Sequence, residues 1–584
     1  MKKVSYFFLL LFFLFFAREC QAVVKKNVSV KSMNDLIIQD GGRKKPFDTY
    51  ARENLVKLTG RSKWYDSEHH KWTALEVMSD FALGTNNWLN EEIINVSYIP
   101  LKERLGLSVD KKFFSHRQIR SNSDVSRKLT ELLSINETQP NYDKKLAAEG
   151  KTLSRQLKQL EFLMTPEAFC WVPVEGQGRW MTVDECAEIY GKKCKNLENI
   201  YANLKDAYQT ENNDLFLNYV GKFHLELLQL LVGQHPTSKN RLELSKIKLE
   251  LLYTHLHPFR VAWILFLLSF ILLLLSRKEG KKFGTYGMAM GLFVVAILFQ
   301  VAGFTLRSLI SGRAPVTNMY EVLVFMAFGA SSIALIYELI YHQKVFALAS
   351  SIVAAITLIL ADNLPAVFDP TIQPLVPVLQ SNWWLTVHVI TITIGYAAFL
   401  QAMGIGHVAM ARYLFYPNDL QSIDRLTKFN YRTMQIGVLF LAAGTLLGGL
   451  WAEKAWGRFW GWDPKETWAL IALLLYLGVL HARYTKWIGS FGLNAASVLA
   501  FQGIIMAGYG VNYLLGTGKH SYGFGVGGEA TTPRQLPTMR PKSSTAICLK
   551  GQMPCCREKI PWPWQSCMPT TKRLPLTSVN IRKY

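Results

Sequence analysis

No Cys-x-x-Cys pair occurs in this sequence, which excludes a thioredoxin-like dithiol role. Charge is scarce as well: Asp, Glu, Lys and Arg make up only 18% of the 584 residues. Acids are the scarcer kind, 43 against 65 Lys and Arg, which leaves a net charge of +22. A basic balance of this size can serve nucleic acid, but no nucleic-acid motif is present. It also suits a membrane protein, whose cytoplasmic loops collect Lys and Arg. The shortage of charge is uneven. Residues 23–258 have the mixed charges of a water-soluble region, residues 259–516 are mostly apolar runs, and residues 517–584 are polar again.

Hydrophobic length is what the second half has in quantity. About 18 apolar residues are enough for a helix to cross the hydrocarbon core. Eight segments qualify: 259–276, 283–306, 320–341, 344–361, 384–412, 434–450, 467–484 and 491–516. The first 22 residues read as a secretory signal or anchor, with Lys2 and Lys3, an apolar stretch over 6–16 and a small-residue end at Ala22. Arg18 and Glu19 are wrong for lipoprotein processing at Cys20. Residues 23–258 are therefore expected outside the cytoplasm. At most one pair among Cys170, Cys186 and Cys194 can close there. The spacing of apolar residues over 128–135 and 153–164 predicts helices, hence a helix-rich soluble region.

With that region outside, the basic stretches 277–282, 342–344, 412–432 and 483–486 all fall inside. The outer face receives 307–319, 362–383, 451–466 and the chain after 516. The segment WAEKAWGRFWGWDPKETWA, 451–469, lies there and carries Trp451, Trp456, Trp460, Trp462 and Trp468 with Phe459. One or two tryptophans would be an interfacial belt. Five in 18 residues exceed that. Gly457 and Gly461 remove side chains where a flat ligand could approach the backbone. Asp463-Pro464 ends the loop before the next helix. Lys454, Arg458 and Lys465 add cations to a loop expected to be poor in them. An aromatic platform ringed by cations suits a porphyrin with two propionates, so heme is the expected ligand.

Heme iron takes axial nitrogen ligands, commonly His. His388, near the start of the fifth span, and His520, just after the eighth, share the outer edge with the tryptophan loop. Taken singly, each also reads as an interfacial histidine; together they make a ligand pair. His481 lies near the inner end of the seventh span, most of a bilayer away, and cannot reach the same iron. An inner histidine could receive heme from the cytoplasm, or simply snorkel among Arg483 and Lys486. His407, at the inner end of the fifth span, is a weaker candidate of the same kind.

The string WGRFWGWDPKETWAL resembles the signature, the WWD domain, of heme-handling membrane proteins of cytochrome c maturation. Within that superfamily the chain is similar to the CcsA (ResC) family of System II. The segments carrying this are GRAPVTNMYEVLVFMAFG at 312–329, the His388 region, LHARYTKW at 480–487 and NYLLGTGKHSYGFG at 512–525. The resemblance covers about 259–526. It implies His388 and His520 as outer axial ligands, His481 as a transmembrane ligand, and Trp456, Gly457, Trp460, Gly461, Trp462, Asp463 and Trp468 as parts of the heme-binding domain. It further implies heme b as bound substrate and apocytochrome c and thiol-reducing proteins as partners. A CcsB (ResB) partner would supply a second transmembrane histidine, since His255 and His257 sit at the outer edge of the first span. The segment 39–53, QDGGRKKPFDTYARE, is similar to extracytoplasmic extensions of some CcsA-like proteins.

The expected architecture is an all-α polytopic membrane protein of about eight spans. Its parts are a signal or anchor at 1–22, an exported soluble domain at 23–258, a heme-handling membrane domain at 259–526 and a tail at 527–584. The tail has many Pro, four Cys and no apolar periodicity, and departs from the family's usual ending. The resemblance implies a bacterial cytoplasmic membrane as the setting. The chemistry it implies is thioether formation between heme vinyl groups and the thiols of a CxxCH segment, with no covalent nucleophile required of this chain. Two rivals are a heme exporter without ligation activity and a cytochrome b-type quinol oxidoreductase subunit. The second expects paired histidines within helices, whereas His388 and His407 share one helix.

Overall fold

The computed structural model describes residues 28–515 except 67–68, 85, 136–142, 174–177, 233–237, 277–283, 366 and 375–381. The signal at 1–22, the tail at 527–584, His520 and the basic stretch 277–282 lie outside the described residues.

Among the described residues between Phe47 and Val232, nine helices, α1 to α9, enclose the main apolar core. Short antiparallel pairs interrupt them: β1 (Ile37–Asp40) with β2 (Arg43–Pro46), Lys63–Tyr65 with Lys71–Thr73, and Ile94–Asn95 with Phe113–Phe114. Helix starts are written locally. Thr73, Ser115 and Thr182 each accept from the backbone three residues on, while Glu76, Gln118 and Glu185 answer in reciprocal capping boxes. The helical spacing over 128–135 and 153–164 belongs to α5 (Ser123–Ser134) and α6 (Lys144–Leu163). Cys186 and Cys194 form a disulfide, and Cys170 is a buried free thiol. Trp64, Trp72 and Trp88 pack together inside, with Phe81 stacked on Trp88.

Helix α10 (Ser238–Leu256) carries the chain out of this region. At His257 the backbone turns left-handed, φ 44°, and Pro258 opens α11 (Pro258–Leu275). The helices α12 (Thr285–Ser311), α13 (Met319–Tyr341), α14 (Val345–Asn363), α15 (Asn382–Phe415), α16 (Leu420–Trp456), α17 (Pro464–Tyr484) and α18 (Ser490–Ile505) follow, the last continued by a π-helical segment, Met506–Leu515. Eight stretches among the described residues are long and apolar enough to span a bilayer. The protein is an all-α multi-pass membrane protein. Arg307 is buried near the end of α12, where its guanidinium binds Glu321, the Tyr253 hydroxyl of α10 and the Pro370 carbonyl. Three residues earlier on α10, Glu250 accepts a two-pronged bond from Arg43 of β2.

Two sequence expectations change here. The stretch 412–432 was expected as a loop, yet α15 runs to Phe415 and α16 begins at Leu420. This part of α16 is amphipathic: Ile423, Leu426 and Asn430 are buried while Asp424, Arg425 and Lys428 are exposed, a pattern invisible to a hydropathy window. The tryptophan segment was expected as one loop over 451–466. Helix α16 in fact continues through Trp456 and closes at Gly457, φ 71°, so only 457–463 is non-helical.

Candidate functional site

Helices α15 and α16 lie close because glycine removes side chains where they cross. A Cβ at Gly444 would meet Ile392, and one at Gly448 would come within 2.7 Å of the His388 ring. His388 occupies that space. Its Nδ1 lies 2.9 Å from the Gly444 carbonyl oxygen, an acceptor, so Nδ1 is the donor; in the neutral ring this puts the lone pair at Nε2. That is the tautomer in which an imidazole ligates a metal, with a backbone carbonyl fixing the ring from behind. Trp451 packs beside the ring, centroids 5.7 Å apart. One turn before His388, Trp384 lies under the Lys454 ammonium at 4.9 Å. Two helices thus bring a histidine, two tryptophans and a lysine to one end of the bundle.

The loop 457–463 is organised by Glu466. One of its oxygens accepts from Arg458 at 2.9 Å, and the other accepts from the backbone N–H of Gly461 at 2.7 Å and of Asp463 at 3.2 Å. Asp463 caps α17 and Pro464 is its first residue, so the sharp loop-to-helix change follows from this sequence. Arg458 also lies over the Trp456 ring, 5.7 Å from its centre. Its charge is therefore already engaged within the loop. Trp462 is held left-handed at φ 55° and is 71% exposed, with Trp460 edge-on to it at 5.9 Å. Phe459 turns back onto α16, where a Cβ at Gly449 would strike it. Lys465 reaches Asn512 in the π-helical segment at 3.4 Å. Asn512 is three residues from the last described residue, Leu515, so the chain leading towards His520 leaves from beside the tryptophan loop.

His481 is at the opposite end. It stands 17 residues into α17, about 25 Å along the axis from Pro464 at 1.5 Å per residue. It is exposed on the outside of the bundle, edge-on to Trp487 at 6.0 Å. His407 is exposed too, its Nδ1 on the Met403 carbonyl at 2.9 Å. Between the two ends the bundle interior is filled: Tyr476 and Phe399 stack at 3.6 Å, and both are buried. His255 lies exposed on α10 with Nδ1 on its own Leu251 carbonyl, away from this end. Among the described residues no three His, Cys, Asp or Glu side chains group as a metal site.

Sequence reasoning singled out His388, Trp451 and Lys454 but not what positions them. Gly444, Gly448, Trp384 and Glu466 were missed. The spacing Gly437, Gly444, Gly448 on a single helix is the signal that could have found a close helix crossing. Which side chain fills the gap has no trace in one dimension.

The cytochrome C assembly protein family matches residues 316–517, from before α13 to the last helix. The protein NrfI of Wolinella succinogenes is 29% identical over 515 residues, 85% of this chain, and the chain spans about half (54%) of NrfI's length. The cytochrome c biogenesis protein CcsA of a Synechococcus strain (CC9902) is 32% identical over 309 residues, 46% of this chain and 98% of that protein. The same protein of Chlamydomonas reinhardtii is 36% identical over 233 residues, 37% of this chain and 62% of its own length. Together with the tryptophan loop and the histidine beside it, this coverage establishes that the chain belongs to the CcsA family of cytochrome c biogenesis proteins.

Proposed function

We propose that this chain binds heme b as a substrate at the end of the bundle bearing the tryptophan loop, and promotes its covalent attachment to apocytochrome c there. The observation that carries the reading is the His388 ring: seated over Gly448, its Nδ1 on the Gly444 carbonyl, and flanked by Trp384, Trp451 and Lys454. These residues fit a porphyrin: a neutral imidazole for the iron, indoles for the macrocycle and an ammonium for a propionate. His520, outside the described residues, is the proposed second axial ligand. Arg458 and Lys465 are further proposed cations for the propionates, and Trp456, Gly457, Trp460, Gly461, Trp462, Asp463 and Trp468 build the platform.

The bond-forming step needs no redox partner. Each thiol S–H of a CxxCH segment adds across a heme vinyl C=C, sulfur to one carbon and hydrogen to the other. The protein's part is to orient the ring and hold its iron in the ferrous state between two imidazoles. The target's own histidine then displaces one of them and takes the heme away. His481 would receive heme at the other end, and its outward position supports completion of that site by a CcsB-like chain. The proposed organisation keeps the exported soluble domain at 23–258, the membrane domain at 259–526, and the tryptophan loop on the extracytoplasmic side of a bacterial cytoplasmic membrane. The basic residues gathered at the other end support that orientation.

The purified full chain should show a b-type pyridine hemochrome and a low-spin bis-histidine spectrum. His388→Ala and His520→Ala should each abolish cytochrome c assembly, with partial rescue by added imidazole. Normal assembly in both variants would sink the ligand assignment. Orientation is tested separately, by labelling Lys281→Cys from the cytoplasm and Lys465→Cys from outside; cytoplasmic labelling at 465 would reverse the map.

A further inference from the structure

At the end of the bundle away from the tryptophan loop, α14, α15 and α16 meet around a cleft. It is shallow: about 20 Å³ of it admits the centre of a water molecule. Its floor is the half-buried Phe429, backed edge to face at 4.7 Å by the fully buried Phe346. Its rim is polar, with Gln343, Ser422, Arg412 and Arg425. The apolar span of α14 starts at Val345, in the wall of the cleft, so the two guanidiniums stand where hydrocarbon gives way to headgroups.

The charges facing the cleft do not cancel. Arg412 binds Asp419 at 2.8 Å, and the other oxygen of Asp419 accepts from the Ser422 backbone at 3.2 Å. Arg425 has only long contacts, 3.4 Å to the Gln421 carbonyl and 3.3 Å to the Ser422 hydroxyl, and its side chain is exposed. The next acid, Asp424, is turned to Ser490 of α18 at 2.8 Å. Lys344 donates its ammonium to the Ser276 carbonyl, and Lys428 is exposed one turn along α16. Two guanidiniums thus face one carboxylate. Beside them the turn between α15 and α16 exposes Leu414, Phe415, Tyr416 and Leu420, each more than 60% accessible.

The geometry points to a binding site for an anionic glycerophospholipid of the leaflet opposite the tryptophan loop, its phosphate between Arg412 and Arg425 and its glycerol end against Phe429 and the exposed apolar turn. A guanidinium fork matches phosphate oxygens, and basic pockets between spans at this depth suit lipid headgroups. A free phosphate could use only the rim. The aromatic floor and the apolar turn ask for an amphiphile, as an interfacial surface does.

The test is native mass spectrometry of the detergent-solubilised full chain titrated with phosphatidylglycerol, phosphatidylcholine or inorganic phosphate. Phosphatidylglycerol should bind in preference to phosphatidylcholine, and its affinity should fall about tenfold in the Arg412→Gln, Arg425→Gln double variant. Arg425→Gln alone, at an exposed residue with only long contacts, should move the same way. Lys486→Gln, at the same end but outside the cleft, should change nothing. Unchanged binding in the double variant, or equal binding of the two lipids, would overturn the proposal. So would displacement of the lipid by an equimolar amount of inorganic phosphate, which would assign the rim to a free anion. A loss of heme from the double variant with lipid binding intact would assign the arginines to heme carboxylates instead and equally defeat the lipid reading.

Discussion

The chain contains two tryptophan clusters that differ in burial. In the soluble region Trp64, Trp72 and Trp88 are almost fully buried, and each N–H has a protein acceptor: the Glu92 carbonyl, Asp66 and Asp80. At the tip of the membrane bundle Trp462 is exposed and Trp456 and Trp460 are half-buried, set on a loop that spends its own carboxylate on backbone N–H groups. The first arrangement uses tryptophan to fill a core, since a buried indole must be satisfied from within. The second holds large flat surfaces outward at the expense of local backbone comfort, with Trp462 left-handed where a non-glycine residue is disfavoured. Number and type of residue are similar; burial separates the two clusters.

The largest effect should come from the buried cluster. Trp88→Ala empties a core position and removes one hydrogen bond to Asp80, which keeps the Tyr208 hydroxyl, and should destabilise the region that this core holds together by about 4 kcal/mol. A drop in its unfolding temperature measures this; a shift as small as that of a surface variant would break the comparison. The exposed cluster should behave in the opposite sense. Trp462→Gly relieves left-handed strain, so stability should change by less than ~1 kcal/mol, while retained heme falls about tenfold through lost stacking. Heme content and thermal unfolding on the same sample decide it, and unaltered heme retention would make Trp462 a bystander.

A finer cut separates the platform from its ligand. Gly448→Ala introduces a Cβ 2.7 Å from His388 Cε1 and should weaken the low-spin heme signal roughly threefold without loss of tryptophan stacking. An unchanged spectrum would mean that the ring position is not set by this helix crossing. The smallest effect is expected at the far end. His481→Ala should lower the heme content of the outer site only by reducing supply, and only when a CcsB-like partner is co-expressed. Full loading in both backgrounds would make this histidine an interfacial residue.

Much of this was legible in one dimension, for identifiable reasons. Eight spans follow from run length, because a bilayer demands about twenty apolar residues in line. The tryptophan loop and Asp463-Pro464 are local, and local capping chemistry shaped them as read. What escaped was the continuation of α16 through 420–433, whose polar face conceals a helix from hydropathy, and the helical state of 451–456. Pairing was illegible as well. Nothing in the sequence says that Cys186 joins Cys194, or that His388 leans on Gly448, since both are facts of three-dimensional proximity.

Helix α10 has a mechanical consequence. Its residue Glu250 is clamped by Arg43 of the soluble region, and one turn later Tyr253 is held by Arg307, which also grips Glu321 and the Pro370 carbonyl. The two grips lie on one short rod, just before the left-handed joint at His257. A torque on the soluble region therefore does not dissipate in a slack linker. To turn that region, a force must either tear a two-pronged ion pair or drag a buried guanidinium, and with it the ends of α12 and α13. The helices and strands before α10 work as a handle fixed to the bundle, and a load placed on them is felt at the ends of α12 and α13.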